Sequence, residues 1–321
     1  MSRLSEKYIA GFLDADGCIS VNFKKGLYKP LLGVSFSQKT SRDEVLLLIR
    51  ESIGGGSLVK QTVKEKEYSQ LVFSGSSAMA LLSRIAKFLV VKKHYAYVCM
   101  ELVKSGKPID PIEGRKYLKE QRKIESLPLP NYPSRKWMAG YFDGDGNFNT
   151  SVRSYISKAN SETGFQKAVL YFNIASSSWD TEGLKLIQRA FGGSIYHLKG
   201  ETHVLRINMQ PSKAKEMLNH FGKYLILKKE QADYILSCAN IGHYPEGKSM
   251  IATMKQLIAR EHRLSMSDVE YNTRKPIIDD PYQWVALGLD GCKICGTTKV
   301  RHNGFGMCRN CYDTDRRSKA A

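Results

Sequence analysis

Nine residues near the start of this chain occur twice. Ile9-Ala10-Gly11-Phe12-Leu13-Asp14-Ala15-Asp16-Gly17 returns 129 positions later as Met138-Ala139-Gly140-Tyr141-Phe142-Asp143-Gly144-Asp145-Gly146. In each copy a pair of small residues sits among apolar neighbours, and two carboxylates and a glycine follow. Ala10-Gly11 and Ala139-Gly140 leave a notch in which a second helix can approach closely, and the glycine after the second aspartate is a helix stop. If the two helices pack side by side, Asp16 and Asp145 meet at their C-terminal ends. Carboxylates there repel each other and the helix dipoles unless a cation lies between them.

The duplication extends well past the nine residues. After Gly17, Ile19, Val21 and Phe23 alternate with Ser20, Asn22 and Lys24, the period of a half-buried strand with a polar face. A strand through Leu32, Val34 and Phe36, a helix from Asp43 to Ser52, a hairpin from Ser57 to Phe73 and a helix from Ala78 to Phe88 follow. The second copy is followed by the same order, and Ile53-Gly54-Gly55-Gly56 is mirrored by Phe191-Gly192-Gly193-Ser194. Phe88-Leu89-Val90-Val91-Lys92-Lys93 is echoed 136 positions on by Tyr224-Leu225-Ile226-Leu227-Lys228-Lys229. A near-constant offset across several landmarks indicates duplication. The reading is an α+β chain of two pseudo-symmetric αββαββα repeats, at 1–106 and 134–240. A proline-rich linker at 107–133, with a short basic helix inside Ile112–Ser126, joins them, and an extension covers 241–321. Within that extension Lys248–Arg260 reads as a basic helix.

Charge narrows the partner. The net charge is +18, and the four segments 1–105, 106–136, 137–240 and 241–321 carry +7, +4, +3 and +4. An excess spread over every part suits an extended polyanion better than a small acidic substrate. No apolar run reaches the length of a membrane span. The first motif begins at Ile9, which leaves no room for a cleavable signal, and seven cysteines make an odd count. The expectation is an intracellular, reducing compartment, in a bacterium, a phage-infected cell or an organelle. Cys18, Cys99 and Cys238 read as packing residues. Cys292-Lys293-Ile294-Cys295 and Cys308-Arg309-Asn310-Cys311 are separated by 12 residues, the spacing of two thiolate knuckles around zinc. The segment from Gly306 to Tyr312 resembles a treble-clef finger, placing a zinc finger at about 290–315.

The paired nine-residue segments resemble the motifs of LAGLIDADG homing endonucleases, in the single-chain form with two motifs. A calcium loop is the competing reading of Asp143-Gly144-Asp145-Gly146-Asn147, but Phe148 stands where such a loop needs glycine and Ser154 where it needs glutamate. The resemblance, over about residues 5–240, implies a monomeric nuclease cutting both strands of a long double-stranded DNA site to leave short 3′ overhangs. It implies magnesium (or manganese) held by Asp16 and Asp145 beside the carbonyls of Ala15 and Gly144. It gives Lys92 and Lys228 the task of polarising water, with Lys93 and Lys229 as one-residue alternatives, and it makes Asp14 and Asp143 structural. Gln38 would orient solvent, whereas the second repeat has Ser176 there. Two sheets would form a saddle on DNA, so Ser20, Asn22, Lys24, Asn147, Asn149, Ser151, Arg153, His197, Lys199 and Arg206 are candidate DNA contacts. An RNA-splicing maturase acting on host intron RNA, or a non-cleaving DNA-binding regulator, is the alternative on the same fold.

Overall fold

The computed structural model describes residues 3–318 apart from 24–29, 64–65, 108, 127, 158–159, 178–180, 199, 201, 260–290, 301 and 305. Lys24, Lys199 and the apolar stretch 284–289 therefore lie outside the described residues.

The first repeat runs α1 (Glu6–Asp16), β1 (Gly17–Asn22), β2 (Leu31–Lys39), α2 (Glu44–Ile53), β3 (Ser57–Val63), β4 (Lys66–Ser74), α3 (Ser76–Ile85) and α4 (Lys93–Ser105). After the linker helix α5 (Pro111–Gln121), the second repeats the order. It comprises α6 (Arg135–Asp145), β5 (Gly146–Ser157), β6 (Asn160–Ser177), α7 (Glu182–Phe191), β7 (Ser194–His197), β8 (Thr202–Asn208), α8 (Pro211–Phe221) and α9 (Lys229–Ile241), with α10 (Gly247–Ala259) beyond. The sheets are antiparallel and ordered β1-β2-β4-β3 and β5-β6-β8-β7. Gly17 pairs with Phe36 and Gly146 with Ile174, so the two registers correspond. Alternation sorts the faces: Ile19, Leu32, Val34, Phe36, Leu71 and Phe73 are buried towards the helices, as are Phe148, Leu170, Phe172, Ile174, Leu205 and Ile207. The hairpin β5–β6 continues to Ser157↔Asn160, further than the strands expected from hydrophobic alternation.

α1 and α6 are packed backbone against backbone. A methyl group on Gly11 would sit 2.0 Å from the Trp137 carbonyl oxygen, and one on Gly140 would sit 2.0 Å from that of Tyr8. Glycine is required at both places because the obstacle is main chain, which cannot rotate aside. The two contacts are reciprocal, as a pseudo-twofold axis between the helices demands. Around this seam one continuous core gathers residues of both repeats, including Phe12, Leu13, Trp137, Tyr141 and Phe142.

Asp14 and Asp143 tie this helix pair to the rest of each repeat. Asp14 accepts from the Val90 and Lys92 amides (2.7 and 2.8 Å) and, across the seam, from Trp137 Nε1 (2.8 Å). Asp143 accepts from the Ile226 and Lys228 amides (2.6 and 3.1 Å) and, across the seam, from Tyr8 Oη (2.7 Å). Each aspartate thus holds the turn before α4 or α9 and an aromatic donor six residues before the opposite aspartate. Burial raises both carboxyls above their usual range, while these donors and the nearby lysines oppose it. Burial, with Asp143 beside it, also pushes the Tyr8 phenol well above its usual value, so it remains a donor.

Each repeat also carries a helix beyond αββαββα. Gly114 of α5 lies against Phe23, and Gly247 of α10 lies against Val152. Phe23 and Val152 are 129 residues apart, and Pro111 and Gly247, which open the two helices, are 136 apart. The linker helix and α10 are therefore structural counterparts. Asp110 caps α5 by accepting from the amides of Ile112 and Glu113, with Pro111 in the first turn, so the prolines start this helix rather than preventing it. Near the C-terminus, β9 (His302–Gly304) pairs with β10 (Met307–Cys308), and α11 (Arg309–Ser318) follows directly. No helix among the described residues is long and apolar enough to cross a membrane.

Gly11→Ala or Gly140→Ala should cost on the order of 3 kcal/mol in urea unfolding, because two backbones must part. Gly222→Ala should be nearly neutral, since its methyl would meet only Leu218 side-chain atoms, at 3.4 Å. Asp14→Asn should cost about 2 kcal/mol by turning one acceptor into a donor facing N–H groups. Equal stability of Gly11→Ala and Gly222→Ala would contradict this account of the seam.

Candidate functional site

The helix pair ends where its outer aspartates stand. A methyl on Gly144 would lie 2.4 Å from the Ala15 Cβ, so the two helices are still touching one residue before Asp16 and Asp145. Both of these carboxylates are half-buried, in contrast to the enclosed Asp14 and Asp143. Gln38, on the helix-facing side of β2, donates through Nε2 to Asp16 Oδ2. Burial lifts the Asp16 carboxyl above its usual range; Lys228, Gln38 and Lys92, in that order, pull it back. Lys228 comes from the other repeat, so the site is shared across the seam.

The two lysines approach the helix ends from the turns that Asp14 and Asp143 hold. Lys92 Nζ donates to the carbonyls of Leu13, Asp14, Ala15 and Gly17 at 2.8, 2.8, 3.1 and 2.9 Å, placing a cation at the negative end of α1. The Ala15 carbonyl, expected beside a metal ion, is therefore engaged by a lysine. Lys228 Nζ donates to the Asp143 carbonyl oxygen at 2.5 Å and is buried. Burial lowers its pKa, and Asp143, Asp16 and Asp145 act against that shift. The one-residue alternative Lys229 turns outward to pair with Asp233 four residues on. Arg42, which sequence reasoning did not single out, also opposes protonation of Lys228, and its Nη2 donates to the Ile258 carbonyl of α10 at 3.0 Å. A lone arginine four residues after Gln38 offered no signal.

The halves differ at the sheet end. Ser176 occupies the register position of Gln38: each lies two residues past the partner of the motif glycine. Ser176 pairs with His203, and His203 with His197, forming a row across β6, β8 and β7. His197 is thereby corrected from its expected place. It alternates with the helix-facing side, as Ile195 does, and its ring meets His203 edge-on at 4.9 Å, so it does not share a face with Arg206.

The other expected contacts do share the sheet faces that point away from the helices: Ser20 and Asn22 on β1, and Asn147, Asn149, Ser151 and Arg153 on β5, with Arg206 on β8. Arg206 is held in place, its guanidinium 5.1 Å from both the Tyr171 and Tyr196 rings and its Nε donating to Asn173 Oδ1 (3.1 Å). Arg153 donates to the Tyr171 hydroxyl at 2.7 Å. On the first sheet, Gln61 donates to Gln70 at 3.0 Å and Gln70 to the Ser37 hydroxyl at 3.3 Å, a polar row that sequence reasoning missed. The same alternation on β2 and β4 carried the signal.

Four sulfurs gather in the C-terminal segment. The Sγ atoms of Cys292, Cys295, Cys308 and Cys311 all lie within 4.8 Å of one another, and Cys295 and Cys308 are 3.8 Å apart. A tetrahedral zinc–thiolate site, with Zn–S near 2.3 Å, has edges of about 3.8 Å. The first knuckle turns through Gly296 N to Cys292 O (2.7 Å) and Cys292 N to Thr297 O (3.0 Å). The second sits where β10 gives way to α11. Burial raises the Cys292 thiol, but the amides of Cys308, Cys295 and Ile294 outweigh it and bring the pKa down to about 6, which favours the thiolate a metal requires.

Comparison with known proteins agrees with this geometry. The chain is similar to the DNA endonuclease I-CvuI of Chlorella vulgaris, at 31% identity over 107 residues, covering 32% of this chain and 65% of that protein. It is also similar to the probable intron-encoded endonuclease Cox1-I1b of Schizosaccharomyces pombe, at 22% over 171 residues, covering 47% and 42%. The chain thus spans less than two thirds of the length of either relative. Among solved structures, the LAGLIDADG meganuclease I-AabMI bound to uncleaved DNA superposes with a TM-score of 0.59 at 17% identity, over 81% of this chain and all of that one. I-SmaMI, bound to an uncleaved DNA target in the presence of calcium ions, gives 0.57 at 18% identity, over 79% and 98%. Those two likenesses establish the fold. A family model described as LAGLIDADG endonuclease matches residues 9–103 and 138–241, ranges that take in both nine-residue segments and the repeats behind them, and the chain belongs to that family.

Proposed function

We propose that this protein is a sequence-specific, divalent-metal-dependent endonuclease that cuts both strands of a long DNA site and leaves short 3′ overhangs. The observation that carries the reading is the junction of Asp16 and Asp145 at the ends of two touching helices, with the charge of Lys228 from the other repeat acting on Asp16. The donors there are oxygens, which suit a hard ion such as magnesium or manganese. Asp16 and Asp145, with the Gly144 carbonyl at the same helix end, would hold it. Such an ion supplies charge neutralisation at phosphorus and an activated water.

The chain's own groups have separable roles in this reading. Gln38 fixes the orientation of the Asp16 carboxylate, and Asp14 and Asp143 hold the turns that deliver Lys92 and Lys228. The lysines place positive charge where the helix dipoles and four aspartates would otherwise accumulate negative charge. The sheet faces carrying Ser20, Asn22, Asn147, Asn149, Ser151, Arg153 and Arg206 contact base edges and phosphates. The two repeats act as one monomeric pseudo-dimer, with bounds near 1–106 and 134–240, and the four-cysteine segment binds one zinc ion. A four-thiolate site of this kind belongs in a reducing compartment.

Digestion of a randomised DNA library with the protein and magnesium, followed by sequencing of cut ends, should return one long site with short 3′ overhangs. On that site, Asp16→Asn and Asp145→Asn should abolish double-strand cutting while DNA affinity stays within about threefold. Undiminished cutting by either variant would refute the assignment. Elemental analysis should find one zinc per chain, and Cys295→Ser with Cys308→Ser should lose it without altering the unfolding of the two repeats. Retained zinc in that double variant would count against the four-cysteine site.

A further inference from the structure

Beside the end of α1 lies a cavity of about 290 Å³, walled by Ala15, Gly17, Cys18, Lys92, Tyr95 and Arg122 among others. Cys18 is exposed and lies on the same face of β1 as Ser20 and Asn22, so the cavity meets the sheet face that points away from the helices. Arg122 follows the last residue of linker helix α5 and is exposed. Its guanidinium stacks over the Tyr95 ring, 4.9 Å from the centroid, while Nη2 donates to the Tyr95 hydroxyl (3.3 Å) and the Ile19 carbonyl (3.4 Å). The ring contact and the two hydrogen bonds from Nη2 together restrain the guanidinium. A planar fork held this way matches the oxygens of a phosphodiester.

The linker itself is tied down next to this cavity. Ser126 donates through Oγ to the Val91 carbonyl (2.7 Å), accepts from the His94 amide (3.0 Å), and its own amide donates to Glu182 Oε1 of the second repeat (3.2 Å). The linker four residues after Arg122 is therefore anchored to both repeats. The equivalent wall in the second half is different in kind: at the same offsets Tyr95 becomes Gln231, Ile19 becomes Phe148 and Arg122 becomes Ile258. Phe148 packs on the Phe142 ring at 4.7 Å, and the Ile258 carbonyl accepts from Arg42. The guanidinium there belongs to Arg42 of the first repeat, so among the described residues the second half presents none of its own at this position.

We propose that Arg122 is a phosphate-binding residue which grips the backbone of one DNA strand beside Asp16 and Lys92, making the two strand cuts unequal. The inference rests on the endonuclease reading and adds a residue from the linker to it. The test uses the full chain on its mapped site, with each strand labelled separately, and compares wild type with Arg122→Gln. The expected result is a loss of about tenfold or more in the rate on one strand, with the other changed less than about twofold, so that nicked duplex accumulates. A neutral methylphosphonate at the gripped phosphate should slow wild type but add nothing to Arg122→Gln, which a merely structural role would not produce. Should Arg122→Gln fail to fold, Arg122→Lys decides: it keeps a point charge without the fork, and a smaller but still one-stranded loss is expected. Wild type that cuts no DNA overturns the endonuclease reading and this inference with it. Wild-type cutting, with both strands unchanged or slowed equally in the variants, overturns the inference alone.

Discussion

Everything in this structure depends on how closely two helices approach. Gly11 and Gly140 allow main chain to touch main chain, each glycine lying where a methyl would meet the carbonyl of Trp137 or Tyr8 at 2.0 Å. Side chains at those positions would separate α1 and α6 by the thickness of a normal interface and carry their C-terminal ends apart with them. The site is therefore built by subtraction. Removing two side chains brings two carboxylates, from sequence positions 129 residues apart, to one place.

The approach creates an electrostatic problem, and the chain solves it in two ways. Four aspartates stand at the negative ends of two helix dipoles, where they are unfavourable. Asp14 and Asp143 are enclosed, and each is satisfied by two amides and one aromatic donor from across the seam. Asp16 and Asp145 remain accessible and are offset by lysine charge. Burying Lys228 costs solvation, and that cost is tolerated because three carboxylates surround it. One aspartate in each pair thus fastens the turn that brings the lysine needed by the other. Structure and chemistry are coupled at adjacent residues.

Much of this was legible in the amino-acid sequence because it is periodic. The αββαββα order, the strand pairs and the gathering of four cysteines followed from alternation, glycine stops and cysteine spacing. Lys92 and Lys228 were legible through their constant offset. What the sequence hid falls into two kinds. Tyr8 and Trp137 are both aromatic donors six residues before an aspartate, but only the crossing of α1 over α6 pairs each with the opposite copy. His197 was misplaced because polarity cannot tell the side that points away from the helices from the polar end of a core face; strand register decides it. The kinship of α5 and α10 was obscured because prolines dominate one and not the other, although both dock on the residue that ends the first strand's alternation, Phe23 or Val152.

That kinship alters how the asymmetry of the molecule should be understood. A duplicated chain is free to diverge wherever its copies do not face each other. The seam keeps its glycines, aspartates and lysines in both halves, although its aromatic donors differ, Tyr8 in one and Trp137 in the other. Divergence is marked at the periphery, where Gln38 corresponds to Ser176, Tyr95 to Gln231 and Arg122 to Ile258. The connection between repeats is itself asymmetric, since α5 must also lead into Ser126 and the second repeat, whereas α10 instead receives a hydrogen bond from Arg42 of the first. The molecule thus keeps a shared centre and has unlike flanks. The covalent linker adds to that unlikeness, for it brings Arg122 to a cavity that Ala15, Gly17 and Lys92 also line.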